Sequence, residues 1–254
     1  MPSTNKVYVI TGANRGIGLG LTQKLLQRPN ITVITSVRNT EAAASLRAET
    51  ENTTVGENST FHIIELDFSS AISPEKISQV LADSTASIMH IDVLICNAAV
   101  IAPLTPAVST SAEDLRTSFE VNAIAPLLLF QALWPYLKNS SAPQYVAVSS
   151  SVGSIAAQEP FPGGSYGASK AALNWLTRAI HLQHESDGLI AFSLHPGWVQ
   201  TRAGYYSVKQ WDYPGEPPLT IEESVSGSLH VIDTATRENT SGKLVAYNGD
   251  VVAW

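Results

Sequence analysis

The chain has 254 residues, 44% of them hydrophobic, which suffices for a full α/β core and fits one domain over residues 1–254 better than two small ones. A formal net charge of -7, with no run of Lys or Arg, excludes nucleic acid as a bulk partner, because phosphate binding needs a basic face. The one cysteine, Cys96, excludes an internal disulfide and points to a reducing, cytoplasmic setting.

In chain order, Met1–Lys6 is short and polar and lacks the charged and apolar regions of a signal peptide. Val- and Ile-rich runs follow at Val7–Thr11, Thr32–Ser36, Phe61–Leu66, Val93–Asn97, Tyr145–Ser149, Ile190–His195 and Leu244–Tyr247. Each has strand length and most are apolar on both faces, as in a parallel sheet covered on both sides. The segments between them carry helix signals. Ser73-Pro74-Glu75 offers an N-cap followed by Pro, and Ser111–Asp114 and Thr220–Glu223 resemble capping boxes. The longest apolar stretch, Ala123–Trp134, is broken by Pro126 and Gln131 and is too short to span a bilayer. The pattern predicts an α/β Rossmann fold: a doubly wound, seven-stranded parallel sheet with right-handed crossovers and helices on both faces. Residues 198–219, rich in Pro and Gly, read as a long loop or lid.

The first strand runs into Thr11-Gly12-Ala13-Asn14-Arg15-Gly16-Ile17-Gly18 and then a helical pattern. Such a turn aims backbone N–H groups and a helix dipole at a pyrophosphate, and glycines keep Cβ atoms out of the cofactor's way. Gly12, Asn14, Arg15, Gly16, Ile17 and Gly18 are the candidate contacts. The spacing is G-x-x-x-G-x-G, a weak signal alone that gains from its place between strand and helix. The second strand ends Ser36-Val37-Arg38-Asn39 without the carboxylate that would hold a ribose 2′-hydroxyl. Arg38 stands where a 2′-phosphate needs a cation and Arg15 is a second candidate, so the expected cofactor is NADPH/NADP. Ser36 and Asn39 can add hydrogen bonds. Asp67 can accept from an adenine amino group or serve only as a turn residue. Asn97 and Ala98 fall at the switch point of the sheet, beside the cofactor.

Tyr166 and Lys170 lie four apart in a helical stretch, hence on one face. A phenol titrates near pH 10, and a nearby ammonium favours the phenolate and makes a tuned proton donor. Upstream, a strand ends at Val148-Ser149-Ser150-Ser151, placing a hydroxyl at the ligand crevice, where Ser150 can bond a substrate carbonyl. Another strand ends at His195-Pro196-Gly197-Trp198-Val199-Gln200-Thr201.

With these motifs in this order, the chain resembles a single-domain member of the short-chain dehydrogenase/reductase family over nearly its whole length. Within that family, His195–Thr201 and Tyr247-Asn248-Gly249-Asp250 with Trp254 resemble sniffer-like carbonyl reductases and fungal ketoreductases of the norsolorinic acid type. The resemblance implies a reductase acting on a ketone or aldehyde carbonyl. Ser150 would orient the carbonyl and Tyr166 give the proton. Lys170 would bind the nicotinamide ribose and lower the phenol's pKa, and Asn122 would support a water in the proton relay. Pro196, Gly197, Val199 and Thr201 would flank the cofactor, Thr201 at its carboxamide or phosphates. Two departures stand out. Asn97-Ala98-Ala99 replaces Asn-Ala-Gly, and the Ser150–Tyr166 gap is longer than usual, which leaves Ser151 and Ser154 as rivals. Ser150 is preferred because the family places its serine three residues before a glycine, here Gly153.

Phe161, Trp198, Tyr205 and Trp211 are candidate substrate contacts for a bulky, aromatic small-molecule carbonyl compound, with packing of the lid as the alternative. Low charge and the apolar helix around Leu127–Leu137 suggest a homodimer or homotetramer. Apart from a weak cluster at His181 and His184, the histidines show no metal spacing, and no metal is expected. His195 reads as a packing residue and Cys96 as an inert buried thiol. An alcohol dehydrogenase running oxidatively and a non-catalytic NADP-sensing protein are the alternatives; the retained Tyr166 and Lys170 weigh against the latter.

Overall fold

The computed structural model describes residues 5–85, 88–101 and 103–254; the first four residues of the polar N-terminal stretch lie outside that set. Eight strands form one sheet in the order β3-β2-β1-β4-β5-β6-β7-β8. They are β1 (Lys6–Thr11), β2 (Ile31–Val37), β3 (Thr60–Glu65), β4 (Val93–Cys96), β5 (Gln144–Val148), β6 (Ile190–His195), β7 (Leu244–Ala246) and β8 (Val251–Val252). The first seven pair in parallel, as expected from sequence. The eighth corrects the seven-strand expectation. Gly249, at φ +91°, turns the chain back so that Val252 pairs Leu244 in antiparallel sense. Two residues are too few to show any hydrophobic period.

Helices α1 (Gly16–Leu26), α2 (Thr40–Thr50), α3 (Pro74–Ser84), α4 (Ala112–Phe119), α5 (Ala125–Leu137), α6 (Gly164–Gln183), α7 (Arg202–Gln210) and α8 (Ile221–Thr234) cover both faces. The cap signals hold. Ser73, Ser111 and Thr220 each accept the N–H three residues on, and Thr220 with Glu223 completes a capping box. Alternate strand residues feed two cores. Val7, Val9, Leu94, Tyr145 and Ala191 face one side, and Tyr8, Ile10, Val93, Val146 and Phe192 face the other. This two-sided burial is why the strands read as continuous apolar runs.

Helix α5 buries Leu129, Phe130, Leu133 and Leu137 in the first core, so part of the apolar run around Leu127–Leu137 is interior. Exposed apolar residues sit on α6, at Trp175 (71%) and Leu182 (59%). Among the described residues no helix is long and apolar enough to cross a membrane. Region 198–219 is not a plain loop: Thr201 caps α7 by accepting from Gly204 N at 3.2 Å.

Candidate functional site

The glycine turn sits at the sheet's switch point, between β1 and β4. Thr11 Oγ1 accepts from the backbone N–H of Asn97 (3.0 Å) and of Ala98 (2.9 Å), and Asn97 Nδ2 donates to the carbonyls of Thr11 (2.9 Å) and Gly12 (3.1 Å). This clasp explains two glycines differently from the expectation that they only make room for cofactor. Gly12 has φ +68°, and a Cβ there would lie 2.8 Å from Ala98 Cα; one on Gly18 would lie 2.5 Å from Asn97 Nδ2. Neighbouring protein fills the space in both cases. Gly16 faces the Thr201 methyl at 3.4 Å from an ideal Cβ position, which brings the segment after β6 across from the turn. Asn14 is partly and Arg15 fully exposed, while Ile17 is partly buried against the second core.

Beside the turn, the Ser36 hydroxyl is buried without a hydrogen-bond partner among the described residues, and Arg15 and Arg38 are exposed and free of ion pairs with any of them. An orphaned hydroxyl and two unpaired guanidiniums at the carboxyl ends of β1 and β2 fit the 2′-phosphate of NADP. Asn39 spends its Oδ1 capping α2, on Ala42 N at 2.9 Å. Asp67 Oδ1 accepts from Ser69 N (2.9 Å) and Ser69 Oγ (2.7 Å), the turn role allowed for it. These bonds, with Arg38 nearby, hold its carboxyl below the usual range.

Tyr166 and Lys170 occupy the first turns of α6. The Ser150 hydroxyl accepts from Val152 N at 3.2 Å and lies close enough to the Tyr166 phenol to lower its pKa against the larger effect of burial. Of its rivals, Ser154 Oγ donates to Ala253 O at 2.7 Å, and Ser151 contributes its backbone N–H to His195 Nδ1 at 3.2 Å. Lys170 is fully buried, and its Nζ donates to Val148 O at 2.7 Å and stands 5.6 Å from the Tyr166 ring centre. Burial pushes the lysine down to about 8 and the phenol up to about 12. The phenol rises because desolvation outweighs the Ser150 hydrogen bond, while the Lys170 ammonium is turned to the Val148 carbonyl.

Asn122 lies in one turn of π-helix, Glu120–Ile124, inserted between α4 and α5. Its side chain is fully buried and binds Val100 and the Ser169 hydroxyl (3.0 Å), which in turn donates to Tyr166 O at 2.7 Å. The residue that the resemblance links to a water thus also ties α6 to the segment after β4. Pro196 O accepts from Ser224 Oγ at 2.7 Å, Gly197 has φ +85°, and Val199 bridges to Leu219, fixing the chain that returns from β6.

The aromatic candidates largely pack on one another. Trp211 stacks on Phe161 (5.3 Å) and donates Nε1 to Pro162 O (3.0 Å), while Trp198 meets Tyr213 (4.6 Å) and donates to Ser207 Oγ (2.9 Å). Phe161 and Trp211 line a cavity of about 470 Å³ together with Thr105, Leu115, Ser151 and Ala171. Trp198 and Tyr205 do not line it, nor do Ser150 and Tyr166; Tyr205 is exposed, its hydroxyl 3.4 Å from Glu216. Among the described residues no group of His, Cys, Asp and Glu could hold a metal ion. Sequence reasoning missed Asn174, which continues the four-residue spacing of Tyr166 and Lys170 along α6, a signal that was available. It also set aside His195, for which no periodicity speaks.

The family model for short chain dehydrogenases matches residues 6–210. The chain is 36% identical over 261 residues to norsolorinic acid ketoreductase stcE of Emericella nidulans, covering 100% of this chain and 96% of that protein. It is 36% identical over 259 residues to the short-chain dehydrogenase RED3 of Pyricularia oryzae, covering 99% and 100%. Among solved structures, an NADPH-bound carbonyl reductase from chicken fatty liver aligns with TM-score 0.81 at 30% identity, over 98% of this chain and 99% of that one. The carbonyl reductase Sniffer of D. melanogaster aligns with TM-score 0.83 at 27% identity, over the same shares, 98% and 99%. With its switch-point glycine turn, its serine beside the phenol and its buried lysine one turn on, the chain belongs to the short-chain dehydrogenase family.

Proposed function

We propose that the chain reduces the carbonyl of a ketone or aldehyde with NADPH, using Tyr166 as proton donor and taking a bulky, ring-bearing substrate. The observation that carries the reading is the buried Tyr166 phenol, with the Ser150 hydroxyl beside it and Lys170 one helical turn on. NADPH, when bound, supplies the hydride. Ser150 donates a hydrogen bond to the carbonyl oxygen and fixes its position. Tyr166 transfers its Oη proton to that oxygen as negative charge develops there. Lys170, buried one helical turn from the phenol, would bind the cofactor's ribose. Arg38 and Arg15 supply the cations for a 2′-phosphate, and the relatives named for NADPH and ketoreductase activity support both halves of the reading.

The cations expected to hold a 2′-phosphate, Arg38 and Arg15, favour reduction over alcohol oxidation, because direction follows the poise of the cofactor. The cavity beside the serine turn, lined by Phe161 and Trp211, has the size of a small-molecule pocket and favours a ring-bearing substrate. The test is NADPH consumption against aliphatic, aromatic and polycyclic ketones. Turnover of the ring-bearing ones supports the reading, a preference for small aliphatic ones sinks the substrate class, and no turnover of any sinks the reductase.

A further inference from the structure

The turn that carries Ser150 is held by two side chains outside the catalytic set. On one side, Asn174 accepts from Ser149 Oγ at 2.6 Å and donates to Gly153 O at 3.3 Å. On the other, His195 at the end of β6 accepts the Ser151 N–H on its Nδ1 at 3.2 Å. That N–H belongs to the peptide unit joining Ser150 to Ser151. The orientation of this unit is the ψ angle of Ser150, here 150°, at the step from extended strand into the short helical turn Ser151–Gly153. A partner that fixes the peptide plane therefore fixes the backbone from which the Ser150 side chain projects toward Tyr166.

An imidazole can do this only as a neutral acceptor at Nδ1, with its proton on Nε2. Burial lowers the His195 pKa to about 4, which keeps it neutral at ordinary pH. Packing alone would ask for nothing more than an apolar ring or aliphatic chain at this place. With Nδ1 occupied and no metal-ligating group around it among the described residues, acid–base and metal roles have no support.

We propose that His195 is a positioning residue: it holds the Ser150–Ser151 peptide through Nδ1 and thereby sets the Ser150 hydroxyl against the Tyr166 phenol. This rests on the reading of Ser150 and Tyr166 as the carbonyl-facing pair. The test compares His195→Leu and His195→Asn, each alone and in a Ser150→Ala background, on a ketone that the unaltered protein reduces. Asparagine can place its amide oxygen where Nδ1 stands; leucine cannot. His195→Leu is expected to lower kcat by roughly 10- to 100-fold, the scale of a small misplacement of a reacting group, with NADPH affinity within about twofold. His195→Asn is expected to stay within about threefold of the original. In the Ser150→Ala background His195→Leu should cost less than about threefold more, because residues acting through one another are non-additive. Equal losses in both backgrounds, or a loss under about threefold in the original, overturn the proposal. Should His195→Leu fail to fold, His195→Gln replaces it: its amide oxygen extends toward the Nε2 position, and activity equal to that of His195→Asn overturns the proposal as well. An unaltered protein that binds NADPH but reduces no carbonyl instead removes the reductase reading beneath it.

Discussion

Asn122 grips Val100 by both backbone polar groups, its Oδ1 accepting the Val100 N–H at 2.9 Å and its Nδ2 donating to the Val100 carbonyl at 2.9 Å. Asn122→Leu keeps the volume and strips both partners from a partly buried peptide. Each unsatisfied group costs roughly 1–3 kcal/mol, so for two groups denaturant unfolding is expected to show a loss of about 2–6 kcal/mol. A loss below about 0.5 kcal/mol would remove the clamp from the account of the site.

Tyr166→Phe is expected to lower turnover by about 10²–10⁴-fold, the usual range for a general acid, while NADPH binding followed by fluorescence changes little. The glycine turn and Lys170, proposed to hold the cofactor, are untouched by the change. Turnover within about tenfold of the original would refute the proton-donor role.

Arg38→Asp exchanges a cation for a carboxylate at the end of β2. Cofactor titrations are expected to show weaker NADPH binding and spared NADH binding, because a carboxylate repels a 2′-phosphate and accepts from a 2′-hydroxyl. An unaltered protein that prefers NADH would contradict the assignment of both arginines.

His195 gives a stability signature in acid. Its folded pKa of about 4 lies below the ordinary 6.5, so between these values the unfolded chain binds the extra proton and the folded one does not. Unfolding free energy therefore falls as pH drops through that window and recovers as pH rises. Urea melts at several pH values between 4 and 6.5 are expected to show a steeper fall for the original protein than for His195→Asn. Parallel curves would mean that the imidazole is not held neutral.

Trp175 is 71% exposed on α6, where an apolar ring in water would gain from burial against a second copy of the chain. Light scattering at micromolar concentration is expected to show a dimer or tetramer, and Trp175→Arg a shift toward monomer. A monomeric original protein would leave α6 without that role.

What the sequence made legible is what local chemistry decides. The strands announced themselves because β1, β2, β4 and β5 are buried on both faces, and the helix starts at Pro74, Ala112 and Ile221 because a hydroxyl stands just before each. Helix α7 stayed hidden because Gly204 and the nearby prolines mimic a loop, while its Thr201 cap becomes visible only once the chain has turned at Gly197. The aromatic cluster was ambiguous for a different reason: a ring's composition does not say whether its partner is Phe161 or a substrate. The same holds for the phenol. Spacing paired Tyr166 with Lys170, but only burial and the carbonyl of Val148 decide which way each titrates.

The clasp between Thr11 and Asn97 also bears on how the protein is made. Its two ends lie 86 residues apart in the chain. At ribosomal speeds of roughly 5–20 residues per second, β1 waits about 4–17 seconds for its second neighbour after it emerges. During that interval β3, β2 and β1 can pair, but β1 offers an open strand edge and an uncovered apolar face. The nascent chain is thus most prone to self-association before β4 arrives, and a chaperone that shields β1 in that interval would raise the yield of folded protein more than one acting on the finished chain.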